Sequence, residues 1–235
     1  MDEMTKAGQI KTVPRPSKAA RPNRKRIGRP PGNEPPKRDA ILGAALSAFA
    51  HHGVDRVTLR QIAAVADVNV SLIVHQFGSK MGLWKEVVDQ VGGIMQHATM
   101  DAIDESVPMR DDERLQRAID HLVDSACNIP ERGLLLVQDI GHPGERFDYL
   151  LEKLIKPTRD LLLPVIQKVL SGKVSQNGLV QVDPEFLTFI LAGSISTAIA
   201  MRPLIARFTK AADVDESFRQ NLKAALHISF LPPLA

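Results

Sequence analysis

Residues 58–80, TLRQIAAVADVNVSLIVHQFGSK, constrain the fold of this 235-residue chain more than any other stretch. Thr58 suits a helix N-cap, and Gln61 three residues on can close a capping box. Leu59, Ile62, Ala63 and Ala66 then recur at helical spacing. Asp67-Val68-Asn69 interrupts that pattern, and Asp and Asn tolerate the left-handed backbone of a sharp turn. Asn69 can cap a second helix running through Gln76, with Leu72, Ile73 and Phe77 as its apolar side. Asn69, Val70, Ser71, His75 and Gln76 fall on the other side, which is small or polar. A short helix of this profile fits the major groove of DNA. The alternative for any such pair is an ordinary helical hairpin inside a core.

The flanking residues decide between them. Arg38, Ile41, Leu42, Ala44, Ala45, Phe49 and Gly53 follow the spacing R-x-x-I-L-x-A-A-x-x-x-F-x-x-x-G. Thr58, Ile62, Ala63, Ala66, Val68, Phe77, Lys80 and Leu83 continue the pattern. From Arg38 to about Trp84 the chain resembles the DNA-binding head of the TetR family of bacterial regulators. The resemblance implies an all-α fold: a three-helix helix-turn-helix head over residues 37–82, then a helical ligand-binding and dimerisation domain over 83–235. It further implies a homodimer that pairs its last two helices in a four-helix bundle. Such a dimer binds double-stranded DNA at a palindromic operator and answers to a small-molecule effector, here of unknown identity.

Two positions depart from the family pattern. Asp67 stands where the family usually has Gly in the turn. Val74, beside His75, stands where it usually has a phosphate-binding Tyr. Thr58 and Lys80 are the expected phosphate contacts, Lys80 with help from the N-terminus of the helix it begins. Asn69, Val70, Ser71, His75 and Gln76 are the expected groove contacts. The run Glu145-Arg146-Phe147-Asp148-Tyr149 resembles one branch of such regulators but names no ligand.

Charge is unevenly placed. Residues 1–36 hold nine Lys/Arg, three Asp/Glu and seven prolines, a net of +6 within a chain total of +3. They are expected to be a disordered basic arm that meets a polyanion. Within it, Arg24-Lys25-Arg26-Ile27-Gly28-Arg29-Pro30-Pro31-Gly32 resembles an AT-hook, which would put Arg29 in a narrow A·T minor groove. A plain basic linker is the other reading.

Further along, Lys37 to His51 should form the first helix and Ser79 should cap a fourth. Stripes at Leu115–Ala126 and after Pro130 mark helices of the body. Glu145 to Leu170 should be one longer helix, broken or kinked at Pro157 and Pro164. Asp183-Pro184-Glu185 opens a helix whose residues from Phe186 to Ile205 are apolar or small all round. One side can then face the protomer's core and the other a second protomer, the alternative being a helix fully buried within one chain. Its uncharged core is too short and too polar for a confident membrane span. The final helix should start near Asp213, with a capping box from Glu216.

No enzyme signature is present: no H-E-x-x-H, no Cys pair, no Gly-rich phosphate loop and no G-x-S-x-G. Neither a metal nor a cofactor is expected. The single cysteine, Cys127, fits a reducing cytoplasm and a packing role. The reading is a DNA-binding transcriptional regulator, a repressor released by a small molecule. The alternative is an architectural DNA-binding dimer that takes no ligand.

Overall fold

The computed structural model describes residues 34–171 and 182–231, and these form helices joined by turns, with no strand among the described residues. The basic arm, Arg29 and its AT-hook-like run lie outside them, as do residues 172–181. Helix α1 (Glu34–His52) starts three residues before the expected Lys37. Two prolines fall in its first turn, where their missing N–H groups have no intrahelical acceptor in any case.

Helices α2 (Leu59–Val65) and α3 (Val70–Phe77) are the expected motif pair. The capping box closes as expected: Gln61 N–H donates to the Thr58 hydroxyl at 3.3 Å, and Thr58 N–H donates to Gln61 Oε1 at 2.8 Å. Asp67 takes the left-handed turn with φ 51°, so an acid does here what glycine does elsewhere. Gly78, at φ 73°, ends α3. Helix α4 (Lys80–Ala102) follows at once, its Ser79 cap accepting from Gly82 N–H at 3.0 Å. Gly82 permits that tight junction, because a Cβ there would sit 2.1 Å from the Phe77 carbonyl oxygen. Ile41, Phe49, Ile62, Ile73 and Trp84 have no exposed surface at the centre of these helices. The same apolar cluster takes in Leu135, Leu150 and Leu154 from the body.

The body comprises α5 (Asp111–Asn128), α6 (Glu131–Asp139), α7 (Glu145–Leu150), α8 (Lys156–Ser171), α9 (Pro184–Ile205) and α10 (Asp215–Phe230). The long helix expected from Glu145 is broken by a π turn, Leu151–Ile155, just ahead of Pro157. Pro157 has no N–H to offer the Lys153 carbonyl four residues back. That carbonyl instead accepts from Gln96 Nε2 of α4 at 3.3 Å, and a Cβ on Gly92 would lie only 2.7 Å from it. Pro164 lies within α8 on its exposed side.

One expectation is corrected. The last helix begins at Asp215 behind Val214, which forms no side-chain cap; Asp213 instead closes a short 3-10 turn, Lys210–Ala212, capped by Thr209. Helix α9 is apolar all round, and this chain covers one side of it. Thr188, Leu191, Ile195 and Ile199 are buried, on the side that meets α5, α6 and α8, whereas Phe186, Phe189, Ile190, Met201 and Leu204 are exposed. By length and composition α9 could cross a membrane, with a mean hydropathy of 1.5 over its most apolar window. One side of it, with Thr188, Leu191, Ile195 and Ile199, is buried against neighbouring helices.

Candidate functional site

Helix α3 presents Asn69, Ser71 and His75 to solvent, with Val70 half-buried beside them. Asn69 holds the N-cap position in extended backbone, yet its side chain makes no capping bond; the first-turn bond runs instead from Leu72 N–H to the Asn69 carbonyl at 3.0 Å. The carboxamide therefore stays free to reach outward. Gln76 differs from the others: it is half-buried and its Oε1 is buried without a hydrogen-bond partner. Val74 is 45% exposed on the same helix and can offer only apolar contact.

Lys80 is not a free cation. Its Nζ donates to the carbonyls of Asp55 at 3.3 Å and Val57 at 3.0 Å, which fastens the α1–α2 turn to the start of α4. An ammonium has three N–H donors, so one remains for a phosphate. Thr58 is exposed, its hydroxyl shared with Gln61. The sequence reading passed over Arg56 and Arg60, both exposed and, among the described residues, in no ion pair. They flank Thr58 at the front of the motif, and a cation in the first turn of α2 was the signal that went unused.

The head is tied to the body by long-range polar contacts. Arg146 of α7 forks onto the Asp55 carboxylate at 2.9 and 3.0 Å, while its Nε donates to Asp139 of α6 at 2.8 Å. The hydrogen bond and charge of Arg146 hold the Asp55 carboxyl below the usual carboxylate range. Tyr149 donates to the Asp89 carboxylate of α4 at 2.9 Å, and its ring lies 5.8 Å from that of Trp84. Burial, and then the Asp89 charge, push the Tyr149 hydroxyl up to about 12. Gln138 of α6 donates to the Ala50 carbonyl of α1 at 3.2 Å.

Behind these contacts, α4, α5, α6, α8 and α9 enclose a cavity of about 60 Å³. Met95, Leu122, Leu136, Leu162 and Ile195 make most of its wall. Among the described residues, Arg132 is the one charged side chain in the lining, with the hydroxyls of Ser125, Thr158 and Ser196 as the other polar groups. Helix α6 faces two ways: Arg132, Gly133 and Leu136 line the cavity, while Leu135 and Gln138 meet the head.

Two short helices with an exposed polar second helix, capped and seated on a third, define a helix-turn-helix DNA-binding protein. Residues 41–87 match the model of the bacterial regulatory proteins, tetR family. The HTH-type transcriptional regulator BetI of Agrobacterium fabrum is 44% identical over 57 residues, 24% of this chain and 28% of BetI. The HTH-type transcriptional regulator RutR of Escherichia coli is 26% identical over 186 residues, 77% of this chain and 82% of RutR. The ketosteroid transcriptional regulator KstR2 of Mycobacterium tuberculosis shares the fold, with a TM-score of 0.61 at 17% identity over 84% of this chain and 96% of that one. So does the fatty acid degradation regulator FadR of Bacillus halodurans, with a TM-score of 0.59 at 15% identity over 83% and 98% of the two chains. Over residues 41–87 the chain is thus similar to the DNA-binding region of the tetR family of bacterial regulators, and over most of its length it shares the fold of these regulators.

Proposed function

We propose that this protein is a homodimeric repressor that reads a palindromic operator with α3 and lets go when a small molecule fills the body cavity. The observation that carries the reading is the outward face of α3. Asn69, Ser71 and His75 are exposed there on a helix whose apolar side is locked into the head. Asn and Ser pair with base edges in the major groove, and Thr58, Lys80, Arg56 and Arg60 supply phosphate contacts around them. Gln76 joins the groove set only by swinging its carboxamide outward, which would also relieve its unpartnered oxygen.

Dimerisation through α9 and α10 is supported by the exposed row Phe186, Phe189, Ile190, Met201 and Leu204, joined by Ile228 of α10 at 84% exposure. Such a row is costly to leave in water and is what a self-complementary two-fold interface would cover. Gly193 lies within it with open space around its Cα.

Release follows from the way α6 is held. It forms part of the cavity wall and also packs on α1, and Asp139 at its end is bonded to Arg146, which grips the α1–α2 turn. A ligand that fits only one setting of α6 would bias the spacing of the two heads. Couplings of this kind are typically about 1–3 kcal/mol.

The test is selection of duplexes from a random pool by the full chain, followed by sedimentation of the complex. The reading expects two inverted half-sites about one helical turn apart, or a multiple of it, bound by two protomers. Gly193→Trp should give monomers and lose the paired site. A single half-site bound by one protomer would refute the dimeric reader.

A further inference from the structure

We propose that the cavity takes a small apolar monocarboxylate whose carboxylate is held by Arg132. This rests on the reading of the body as an effector domain and names the chemistry of its ligand.

Most of the other partly buried arginines sit beside an acid. Arg146 pairs with Asp55 and Asp139, Arg159 with Glu185, Arg202 with Asp215 and Arg219 with Asp124. Arg117 and Arg132 are half-buried with no ion pair among the described residues, and Arg114 spends its fork on the carbonyls of Ile103, Asp104 and Val107; of these three, Arg132 is the one that lines the cavity. Its side-chain bond there is a long one, from Nη1 to Ser125 Oγ at 3.4 Å. Desolvation without a partner is costly for a cation, and burial indeed pulls the Arg132 guanidinium below its ordinary value.

A guanidinium offers a planar fork that matches a carboxylate in a bidentate pair, which a neutral amide cannot reproduce. The Ser125 and Ser196 hydroxyls stand in the same lining as further donors. The rest of the wall sets the other half of the ligand. Met95, Leu122, Leu162 and Ile195 suit a short branched hydrocarbon, and a cavity of about 60 Å³ is too small for an aromatic ring, since benzene occupies a cavity of about 150 Å³. Among the described residues no acidic side chain lines it, so an amine finds no partner there. A second negative charge finds no second cation. Dicarboxylates and phosphate monoesters are therefore disfavoured along with amines.

The experiment is calorimetric titration of the full chain with isobutyrate and butyrate against isobutyramide and butyramide. The same four compounds are tested for release of the duplex selected above. Wild type should bind at least one acid, and its amide about tenfold or more weakly, the usual cost of losing a charge-assisted bond. Arg132→Gln should lose that factor for the acid and no longer tell acid from amide, while Arg132→Lys should keep part of it. The ligand-free Arg132→Gln protein should melt at or above the wild-type temperature, since it sheds an unpaired half-buried charge. The proposal is overturned if no acid binds, if acid and amide bind alike, if Arg132→Gln binds the acid as wild type does, or if that variant melts lower. Binding of the acid without release of the duplex would sink the effector reading and keep the Arg132 site. Release by the amides as readily as by the acids would do the reverse.

Discussion

The head and the body of this protein both hide large side chains from water, but they differ in what lies between those side chains. In the body, Ile119, Val123, Leu150 and Leu191 are at zero exposure. Around α1 to α4 the large side chains are closed off from water, with Ile41, Phe49, Ile62, Ile73, Leu83 and Trp84 all at zero exposure. Each such residue contributes about 1.5–3 kcal/mol through burial alone. The body keeps a cavity, a π turn and a half-buried arginine without an acid. A reader of DNA must hold its contact atoms still, whereas an effector domain must have two settings of similar energy. The packing follows that division of labour, and α6 lies on the border with one side in each region.

The largest effect that can break this comparison is a matched pair of truncations. Leu83→Ala in the head should cost about 4 kcal/mol in denaturant unfolding, whereas Leu162→Ala in the cavity wall should cost about 2–3 kcal/mol, because Leu162 already lacks neighbours on one side. Equal losses would mean that the body is as tightly packed as the head.

Next in size is the α3–α4 junction. Gly82→Ala forces a Cβ against the Phe77 carbonyl and should cost about 2 kcal/mol or more, with duplex binding lost because α3 is displaced. Gly43→Ala on the exposed side of α1 meets nothing within 4 Å. It should stabilise by about 0.5–1 kcal/mol through helix propensity. The same substitution thus changes sign within one region, read as a shift in melting temperature.

These contrasts also explain what the sequence disclosed. The head was legible because its signals are local. Thr58 with Gln61, Asp67 in the turn and Ser79 before α4 all act within three or four residues of themselves. The Asn69 side chain was misjudged because backbone alone satisfies the first turn of α3. In the body, Arg146 meets Asp55 across 91 positions and Tyr149 meets Asp89 across 60, distances at which no periodicity carries information. Gly92 gave no hint of its role, since the reason for it is a carbonyl freed by Pro157 on another helix. The cavity is a property of five helices at once.

Contacts to DNA come next. Ser71→Ala and His75→Ala should each cost about 1–3 kcal/mol of discrimination at one base position, measured against a set of single-base variants. Arg60→Ala should weaken all sequences alike and lower the salt dependence of binding. Ala192→Leu, which fills the cavity, should raise stability by about 0.5–2 kcal/mol and abolish the response to ligand while leaving duplex affinity intact.

The smallest effect reports on the border itself. Tyr149 is the only tyrosine in the chain, so ultraviolet titration sees it alone. Its midpoint should lie at about 12, against an ordinary value of 10.0, and Asp89→Asn should bring it down. Because the folded value is raised, the contact is fully present below the ordinary value and is lost as pH rises towards 12. An ordinary midpoint in the folded wild type would mean that α7 is not seated on α4.

The central claim is that α3 is the reading helix, and directed cleavage tests it most directly. Ser71→Cys, in a Cys127→Ser background that removes the only native thiol, can carry an iron chelate on α3. Bound to the selected duplex, it should cut at major-groove positions in both half-sites, symmetrically about the dyad. Tight binding with no cutting near the half-sites would place α3 away from the groove and contradict the account.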